Sequence, residues 1–157
     1  MHLKTEMKAL AYNKKAGFDY TFIDKYEAGL VLSGQEVKSI KTGHLSLKGS
    51  FVTIKAFELY LTNAFIPPYP FAGQLKNYDP SRSRKLLVKK SEIKRLIGKV
   101  RTEGLTLVPI RVYTRKRLIK LEFALARGKK KFDKRADIAK KEASRRIARN
   151  LKTPRNF

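Results

Sequence analysis

The chain has 157 residues, with 37 Lys and Arg against 13 Asp and Glu, and a formal net charge of +24. This excess favours a polyanionic partner, because neutralising phosphates releases the counterions condensed on a nucleic acid. A hydrophobic fraction of 42% can build one core, which excludes a fully disordered chain. The absence of cysteine excludes disulfides and thiolate metal sites.

Membrane association is disfavoured by the same sequence. Residues 1–15 contain no continuous apolar run, so a secretory signal is not expected. No stretch is long enough to span a bilayer, and no amphipathic helix has a large aromatic or aliphatic face. We therefore expect a cytoplasmic protein that binds a polyanion, with nucleic acid as the first candidate.

The first third of the chain predicts a strand followed by a short helix. Residues 1–18 form a polar, basic lead-in. A broken alternation of apolar residues predicts a strand from Tyr20 to Leu32, and Gly29 inside it indicates a bulge or a close backbone approach. Glu36 to Lys41 then predicts one or two helical turns that end at Gly43.

The middle of the chain predicts a hairpin and a long loop. Phe51 to Lys55 and Glu58 to Ile66 are the two strands of the hairpin. Ala56-Phe57 is a poor pair for a tight primed turn, so we expect a longer loop or a distorted hairpin there. The proline-rich segment that follows cannot form a regular central strand and predicts a loop to about Ser83.

The next region predicts one long helix and two strands. Ser91 is expected to cap a helix that runs to Glu103 and stops at Gly104. Leu105 to Tyr113 and Leu118 to Leu125 read as strands. Five or six short strands around one helix predict a mainly β protein with helices, and an oligonucleotide-binding-type barrel is the favoured fold.

We expect two regions, a barrel over residues 1–126 and a basic tail over residues 127–157. The tail carries 13 Lys and Arg and three acids, a net charge of +10. It has too few large apolar residues to fold alone. Apolar residues recur every four positions from Ala139 to Leu151. The tail is therefore predicted to be disordered in solution and helical on its partner.

Several charged residues have both a binding and a structural interpretation. The segment from Arg127 to Arg135 combines cations with an aromatic ring, a pattern that suits phosphates and an unpaired base, or a solvated tail, or a localisation signal. The arginines between Asp79 and Leu87 either grip phosphates or solvate a loop. Glu27 could accept hydrogen bonds from a nucleotide, although physics alone favours a salt bridge to a neighbouring lysine.

The sequence gives little support for catalysis. His2 and His44 lie far apart, and no nucleophile sits beside either of them in sequence. There is no phosphate-binding glycine loop, no histidine metal pair and no acidic metal cluster. No catalytic residue, metal or cofactor is predicted.

Six blocks of sequence, taken in order, are more specific than any single motif. They are Asn13-Lys14-Lys15-Ala16, Tyr26-Glu27-Ala28-Gly29, Gly34-Gln35-Glu36-Val37-Lys38-Ser39-Ile40, Asp79-Pro80-Ser81-Arg82-Ser83-Arg84-Lys85-Leu86-Leu87, Gly104-Leu105-Thr106-Leu107-Val108-Pro109, and Ala126-Arg127-Gly128-Lys129-Lys130 followed by Asp133-Lys134-Arg135. This series resembles the small protein B family, the SsrA-binding proteins of bacteria. The resemblance covers roughly Leu10 to Leu151.

The resemblance implies a barrel that grips the tRNA-like domain of transfer-messenger RNA (tmRNA) and substitutes for its missing anticodon arm. The tail would enter the decoding centre and vacant mRNA channel of a stalled ribosome, against small-subunit ribosomal RNA. Translation would then resume on the RNA's own reading frame, which tags the incomplete peptide. Alanyl-tRNA synthetase and elongation factor Tu would be indirect partners through the RNA. No membrane partner is implied.

The family's motifs also imply which residues would act. Asn13, Glu27, Leu87 and Lys120 would belong to the tmRNA face. Their expected neighbours on that face are Lys14, Lys15, Glu36 and Lys38. The expected ribosome-binding residues of the tail are Arg127, Gly128, Lys129, Lys130, Lys131, Phe132, Asp133, Lys134, Arg135, Lys140 and Lys141, with Asp133, Lys134 and Arg135 at the decoding centre.

The sequence departs from the family pattern in three places. Phe132 stands where many relatives carry histidine or tyrosine, which keeps stacking but removes a hydrogen bond from the ring. Ala143 falls where some relatives have tryptophan, and Ala56-Phe57 replaces a more usual Asp-Gly or Asn-Gly. Two rival functions stay open at this point: a ribosomal RNA-binding or assembly protein with a basic tail, and an enzyme acting on RNA, such as a nuclease.

Overall fold

The computed structural model describes residues 7–73 and 76–152. His2, the N-terminal part of the predicted lead-in and the last five residues of the predicted tail lie outside this part of the chain. The helices and strands in chain order are β1 (Lys8–Tyr12), α1 (Ala16–Asp19), β2 (Tyr20–Leu30), α2 (Gly34–Lys41), β3 (Phe51–Lys55), β4 (Glu58–Thr62), β5 (Arg84–Leu87), α3 (Lys90–Glu103), β6 (Thr106–Arg115), β7 (Leu118–Gly128) and α4 (Lys131–Lys152).

The strands form one antiparallel sheet in the order β1-β6-β7-β2-β5-β4-β3. The two longest strands, β2 and β7, have 11 residues each and pair along almost their whole length. The sheet curls until β3 approaches β6, and a groove lined by both strands marks the seam. The predicted mainly β fold and oligonucleotide-binding-type barrel are confirmed.

The core fills the inside of this barrel. Alternate residues of β7, including Leu121, Phe123 and Leu125, are fully buried. Helix α3 adds Leu96 to the same cluster. Burying one such side chain stabilises the fold by about 1.5–3 kcal/mol, and a slip of one residue would turn the whole set outward. The core therefore fixes the strand register, and with it the side chains on the outside.

Three elements were not predicted. Strand β1 is an edge strand whose residues are half-buried or exposed, so it shows only a weak strand pattern within the basic lead-in. The four-residue helix α1 follows it. Strand β5 lies between the predicted loop, which was to end at about Ser83, and the predicted helix from Ser91. Its residues Arg84 and Leu86 both turn into the core. The predicted Ser91 cap is wrong, since α3 begins at Lys90 and no side chain caps it.

The predicted distortion of the first hairpin is also wrong. Lys55 pairs directly with Glu58, so Ala56 and Phe57 form a tight two-residue turn. Both turn residues have positive φ, 50° and 60°. Such a conformation costs about 1–2 kcal/mol for each non-glycine residue. The paired strands and the buried side chains of β3 and β4 offset this cost.

The end of the chain is a long helix. Strand β7 continues to Gly128, two residues past the expected end of the barrel at residue 126, because Arg127 and Gly128 pair with the beginning of β2. None of the 22 residues of α4, all within the described part of the chain, is buried. The disorder of this tail in the free protein stays a prediction. No helix in residues 7–73 or 76–152 has the length and apolar character needed to cross a bilayer.

Candidate nucleic-acid interface

One surface of the barrel gathers three of the predicted RNA-binding residues. Because side chains alternate along a strand, the residues between the core positions of β2 and β7 face outward. The register places Gly29 opposite both Lys120 and Leu87. We call this surface the outer face, and its members are Glu27, Gly29, Leu87, Arg111, Tyr113, Arg115, Lys120 and Glu122. Glu27, Leu87 and Lys120, which lie far apart in sequence, are thus brought together.

Glu27 is held by two side chains of β6. Its Oε2 accepts a hydrogen bond from the Tyr113 hydroxyl and another from Arg115 Nη1 at 3.4 Å. The salt bridge that the sequence favoured for Glu27 is therefore present, but its partner is an arginine rather than a lysine. The side chain is still 38% exposed. Its Oε1 has no partner among the described residues, and it can accept a hydrogen bond from RNA.

Tyr113 fixes the position of that carboxylate. Its side chain is buried, and burial together with the hydrogen bond to Glu27 raises the pKa of Tyr113 far above its ordinary value of 10. The phenol therefore stays protonated near neutral pH and always donates to Glu27. Next to it, the Arg111 guanidinium lies 4.9 Å from the Tyr113 ring centroid and binds Glu122 at 2.9 Å. The two acids of the outer face are each paired with an arginine.

Lys120 and Leu87 flank a shallow groove on the outer face. Its lining also includes Gly29, Val37, Arg117 and Leu118. A Cβ on Gly29 would lie 3.3 Å from the Leu87 Cβ, so the glycine lets the Leu87 side chain pack closely over β2. The irregularity in the pairing of β2 with β7 lies between Phe22 and Asp24 and not at Gly29. Leu87 is 56% exposed. Lys120 has no ion pair within the described chain, so its ammonium group is available to a phosphate.

Glu36 does not lie on any binding surface, and its predicted place on the tmRNA face is wrong. Its side chain is fully buried and accepts a hydrogen bond from Arg84 Nε at 2.7 Å. Glu36 also closes a capping box with Ser33 at the start of α2, and Arg82 pairs with it. Burial tends to raise the pKa of Glu36, but the Ser33 N–H and the two guanidinium groups outweigh burial and hold the pKa below its ordinary value.

Arg84 is equally unavailable to RNA. Its guanidinium donates to Glu36 and to the backbone oxygens of Ala64 and Pro80. These contacts tie the long loop between β4 and β5 to helix α2. A phosphate-gripping role is therefore excluded for Arg84, which is fully buried.

The remaining predicted residues of the tmRNA face lie elsewhere. Asn13 is nearly buried, and its Nδ2 donates to the Pro109 oxygen at 3.0 Å, which fixes the junction between β1 and α1. Lys14 and Lys15 follow it and are exposed. Lys38 lies on α2 with its Nζ 5.8 Å from the Tyr69 ring centroid.

The start of α4 is tethered to α1 by a few contacts. Lys129 Nζ donates to the Gly17 oxygen at 3.1 Å and to the Asp137 carboxylate. Lys134 Nζ lies 3.4 Å from Asp19. The hydrogen bond from Lys129 lowers the pKa of Asp137 below its ordinary value. These contacts orient the first turns of α4 relative to the barrel.

A groove between α1 and α4 is lined by residues of both predicted binding groups, the tmRNA face and the ribosome-binding tail. Asn13 and Lys14 line one side, and Lys140 and Lys141 line the other. Lys141 Nζ also lies 5.7 Å from the Phe18 ring centroid. The other predicted tail residues face solvent to a large extent, and they are Arg127, Gly128, Lys130, Lys131, Phe132, Asp133 and Arg135.

Comparison with known proteins decides the family. The family model described as SmpB protein matches residues 10–153. The chain belongs to the SmpB protein family. It is 52% identical to the SsrA-binding protein of Neorickettsia sennetsu, over 91% of this chain and 97% of the relative. It is 47% identical to the SsrA-binding protein of Enterococcus faecalis, over 97% of this chain and 98% of the relative.

A solved structure supports the same assignment. The structure described as "tmRNA-SmpB: a journey to the center of the bacterial ribosome" contains a chain with 47% identity and a TM-score of 0.62. The match covers 76% of this chain and 84% of that chain. The predicted membership of the SmpB family is therefore confirmed.

Sequence reasoning missed the β6 side of this family member's outer face. Arg111, Tyr113 and Arg115 lie two residues apart, so they share one face of a strand. Within the predicted strand from Leu105 to Tyr113, the spacing of Arg111 and Tyr113 around Val112 was the signal, and Arg115 lay beyond the predicted end of the strand. The role of Arg84 had no such signal, since its partner Glu36 lies 48 positions away.

Proposed function

We propose that this SmpB-family chain binds the tRNA-like domain of tmRNA and delivers it to stalled ribosomes for trans-translation. The observation that carries the proposal is the family match over residues 10–153, almost the whole chain. Relatives named SsrA-binding proteins resemble it over nearly their full length. The net charge of +24 suits two RNA partners, the tmRNA and the ribosome.

The outer face is the proposed reader of the folded RNA. Glu27, Leu87 and Lys120 sit on adjacent strands of a rigid sheet. Lys120 would bind a phosphate, and Oε1 of Glu27 would accept a hydrogen bond from a base edge or 2′-hydroxyl. Folded RNA is recognised mainly by its shape, so a surface with fixed side chains is suited to it. Asn13, Lys14 and Lys15 would extend this contact at the β1–α1 junction.

The tail is the proposed ribosome-binding element. The region after Gly128 would be disordered in the free protein and helical in the decoding centre and mRNA channel. Its sparse tethers to α1 and the absence of any buried residue in the described helix α4 support this division. A loose cationic segment can follow a narrow anionic channel and order on arrival. Asp133, Lys134 and Arg135 would contact small-subunit ribosomal RNA there.

The proposed mechanism is binding and mimicry in the cytoplasm, without a bond made or broken by this chain. Alanyl-tRNA synthetase and elongation factor Tu would act on the same RNA and meet the protein through it. Incubation with labelled RNA and a divalent metal is expected to leave the RNA intact. Specific cleavage would contradict the non-catalytic assignment.

Sequencing of the RNA that co-purifies with the protein tests the proposed partner. Tagged protein and a Lys120→Ala variant are purified from cells under the same conditions. We expect tmRNA to be strongly enriched with the first and less enriched with the second. Enrichment of ribosomal RNA without tmRNA would favour a ribosomal or assembly protein instead.

A further inference from the structure

The loop between β4 and β5 presents two aromatic rings that the proposed function does not use. We call Tyr69 and Phe71 the aromatic tip. Phe71 is 85% exposed, more than any other large apolar residue recorded in the described chain. The two ring centroids lie 5.5 Å apart in an edge-on arrangement. Scattered exposed rings are common on proteins, but this pair is held in a fixed place.

Prolines and hydrogen bonds make the aromatic tip rigid. The segment Pro67-Pro68-Tyr69-Pro70 has three residues with fixed φ. Ser39 Oγ donates to the Pro67 oxygen at 2.8 Å, which attaches the loop to α2. The Ala72 N–H donates to the Tyr69 oxygen at 3.0 Å and closes a turn around the two rings. Rings that are already ordered lose little entropy when a ligand binds.

A lysine accompanies the rings. Lys38 Nζ lies 5.8 Å from the Tyr69 ring centroid, and residues 65–73 contain no charged side chain. Phe71 is exposed and Tyr69 beside it is half-buried. An exposed aromatic ring with a cation nearby is a combination that holds unpaired nucleotides, since a ring stacks on a base and an ammonium binds the adjacent phosphate. An apolar protein partner would bury the rings but would leave the lysine without a counter-charge.

The aromatic tip is next to the outer face but distinct from it. Val37 lines the groove that contains Leu87 and Lys120, whereas Lys38 lies against Tyr69. Consecutive residues of a helix point about 100° apart. Helix α2 therefore turns one residue toward each surface.

We propose that Tyr69, Phe71 and Lys38 form a base-stacking site for unpaired RNA nucleotides. The site goes beyond the proposed function, because it does not depend on which RNA the chain binds. The outer face would read a folded RNA by shape, while the aromatic tip holds a base that has left its stack.

A fluorescence titration tests the site directly. The chain contains no tryptophan, so Phe71→Trp places a single indole at the tip and keeps an aromatic ring there. The matched control is Phe57→Trp, because Phe57 is 67% exposed at the β3–β4 turn. Each variant is titrated with oligoadenylate and with an abasic ribose-phosphate chain of the same length.

Stacking predicts that oligoadenylate quenches the indole at position 71 much more than the abasic chain does. The indole at position 57 is expected to respond equally to both. The site is refuted if the abasic chain quenches position 71 as strongly as oligoadenylate, or if oligoadenylate quenches both positions alike.

Affinity provides the second readout. The double variant Tyr69→Ala/Phe71→Ala is expected to bind oligoadenylate about fivefold more weakly or worse, the smallest loss that follows removal of one stacked base. Phe57→Ala is expected to bind as the unchanged protein does. Unchanged affinity of the double variant would overturn the proposal. The difference in oligoadenylate affinity between the tip variant and the Phe57→Ala control bears on the aromatic tip, whereas loss of preference for the tRNA-like domain bears on the proposed function.

Discussion

The barrel and helix α4 hold their charged side chains in different ways. In the barrel, Glu36 is fully buried between Arg84 and the start of α2, and Glu27 and Glu122 are each paired with an arginine of β6. In α4, Asp137 meets Lys129 at a partly exposed position, and the last three turns lie in solvent. Charged side chains that are held in place by ion pairs suit a partner whose own shape is fixed. Charged side chains on an exposed segment can adopt the arrangement that the partner imposes on them.

This difference explains why so basic a chain keeps its acids where it does. The chain has only 13 Asp and Glu. Three of those in the barrel, Glu27, Glu36 and Glu122, orient arginines, so they decide where that positive charge is presented and where it is used internally. Asp19 and Asp137 do the same for the first turns of α4 through two lysines. Each of these acids can therefore be removed to separate the roles of the two regions.

Removing the tail is expected to have the largest effect. Because β7 ends at Gly128, a chain truncated there keeps every strand of the described sheet. Binding to the tRNA-like domain should change by only a few-fold, while peptide tagging on a stalled ribosome should fall to background. A reconstituted translation reaction on a truncated mRNA measures the tagging. Normal tagging by the truncated chain would refute the role given to the tail.

Glu36→Gln is expected to have the next largest effect, and on stability. Removing the charge leaves the buried Arg84 guanidinium without its counter-ion, which costs about 3–5 kcal/mol of the free energy of unfolding. Guanidinium chloride denaturation measures this loss. Glu58→Gln is the control, because Glu58 pairs with Lys85 in solvent, and no measurable change is expected. Equal losses of unfolding free energy for both variants would show that the buried Glu36–Arg84 pair contributes no more to stability than the exposed Glu58–Lys85 pair.

The same carboxylate predicts a pH dependence. The pKa of Glu36 is held below its ordinary value of 4.5, so the unfolded chain takes up the proton first as the pH falls. The stabilisation is complete above that value and is lost as the pH drops through the lower pKa of the folded state. Denaturation midpoints from neutral to acid pH should therefore fall more steeply for the unchanged protein than for Glu36→Gln. Parallel curves would contradict this assignment.

Glu27→Ala should weaken RNA binding by the outer face and leave the function of the tail unchanged. A lost hydrogen bond to a charged group predicts affinity for the tRNA-like domain about tenfold weaker. Ribosome binding through the tail should not change. Glu58→Ala, which removes an acid from β4 on the far side of β5, serves as the control. If affinity for the tRNA-like domain is unchanged, Glu27 only supports Tyr113 and Arg115.

Asp137→Asn should have the smallest effect, confined to the start of α4. The Lys129 contact weakens, so in the ribosome-bound protein, where the helix is expected to form, amide hydrogen exchange should become faster in the first turns of the helix and stay the same in the barrel. Glu142→Gln removes the same charge from a more exposed position of α4 and should change neither region. Faster exchange in the barrel would mean that the two regions are more tightly coupled than the contacts indicate.

The sequence predicted the elements whose residues form local patterns. Helix α3 has a clear helical period, strand β2 has a broken alternation, strands β6 and β7 are rich in apolar residues, and Gly104 marks the helix end as expected. Strand β5 was missed, because Arg84 resembles a surface cation until the fold brings Glu36 to it. The tight turn at Ala56-Phe57 was missed, because its cost is met by pairing in the strands on either side.

The candidate site was predictable in part. The family motifs named Glu27, Leu87 and Lys120, and the strand register explains why they share one face. The same motifs grouped Glu36 with them, although its place in the capping box turns it inward. Spacing along the sequence does not show which way a helix presents each residue. That direction depends on what packs against the helix.

The most direct test compares two RNAs on two chains. The full chain and the chain ending at Gly128 are each titrated at raised salt with the tRNA-like domain and with random RNA of the same length. A barrel that reads shape and a tail that follows charge predict that truncation weakens binding to random RNA more, so the preference for the tRNA-like domain rises. If the truncated chain binds both RNAs equally well, the barrel does not read the fold of the RNA and this account is wrong.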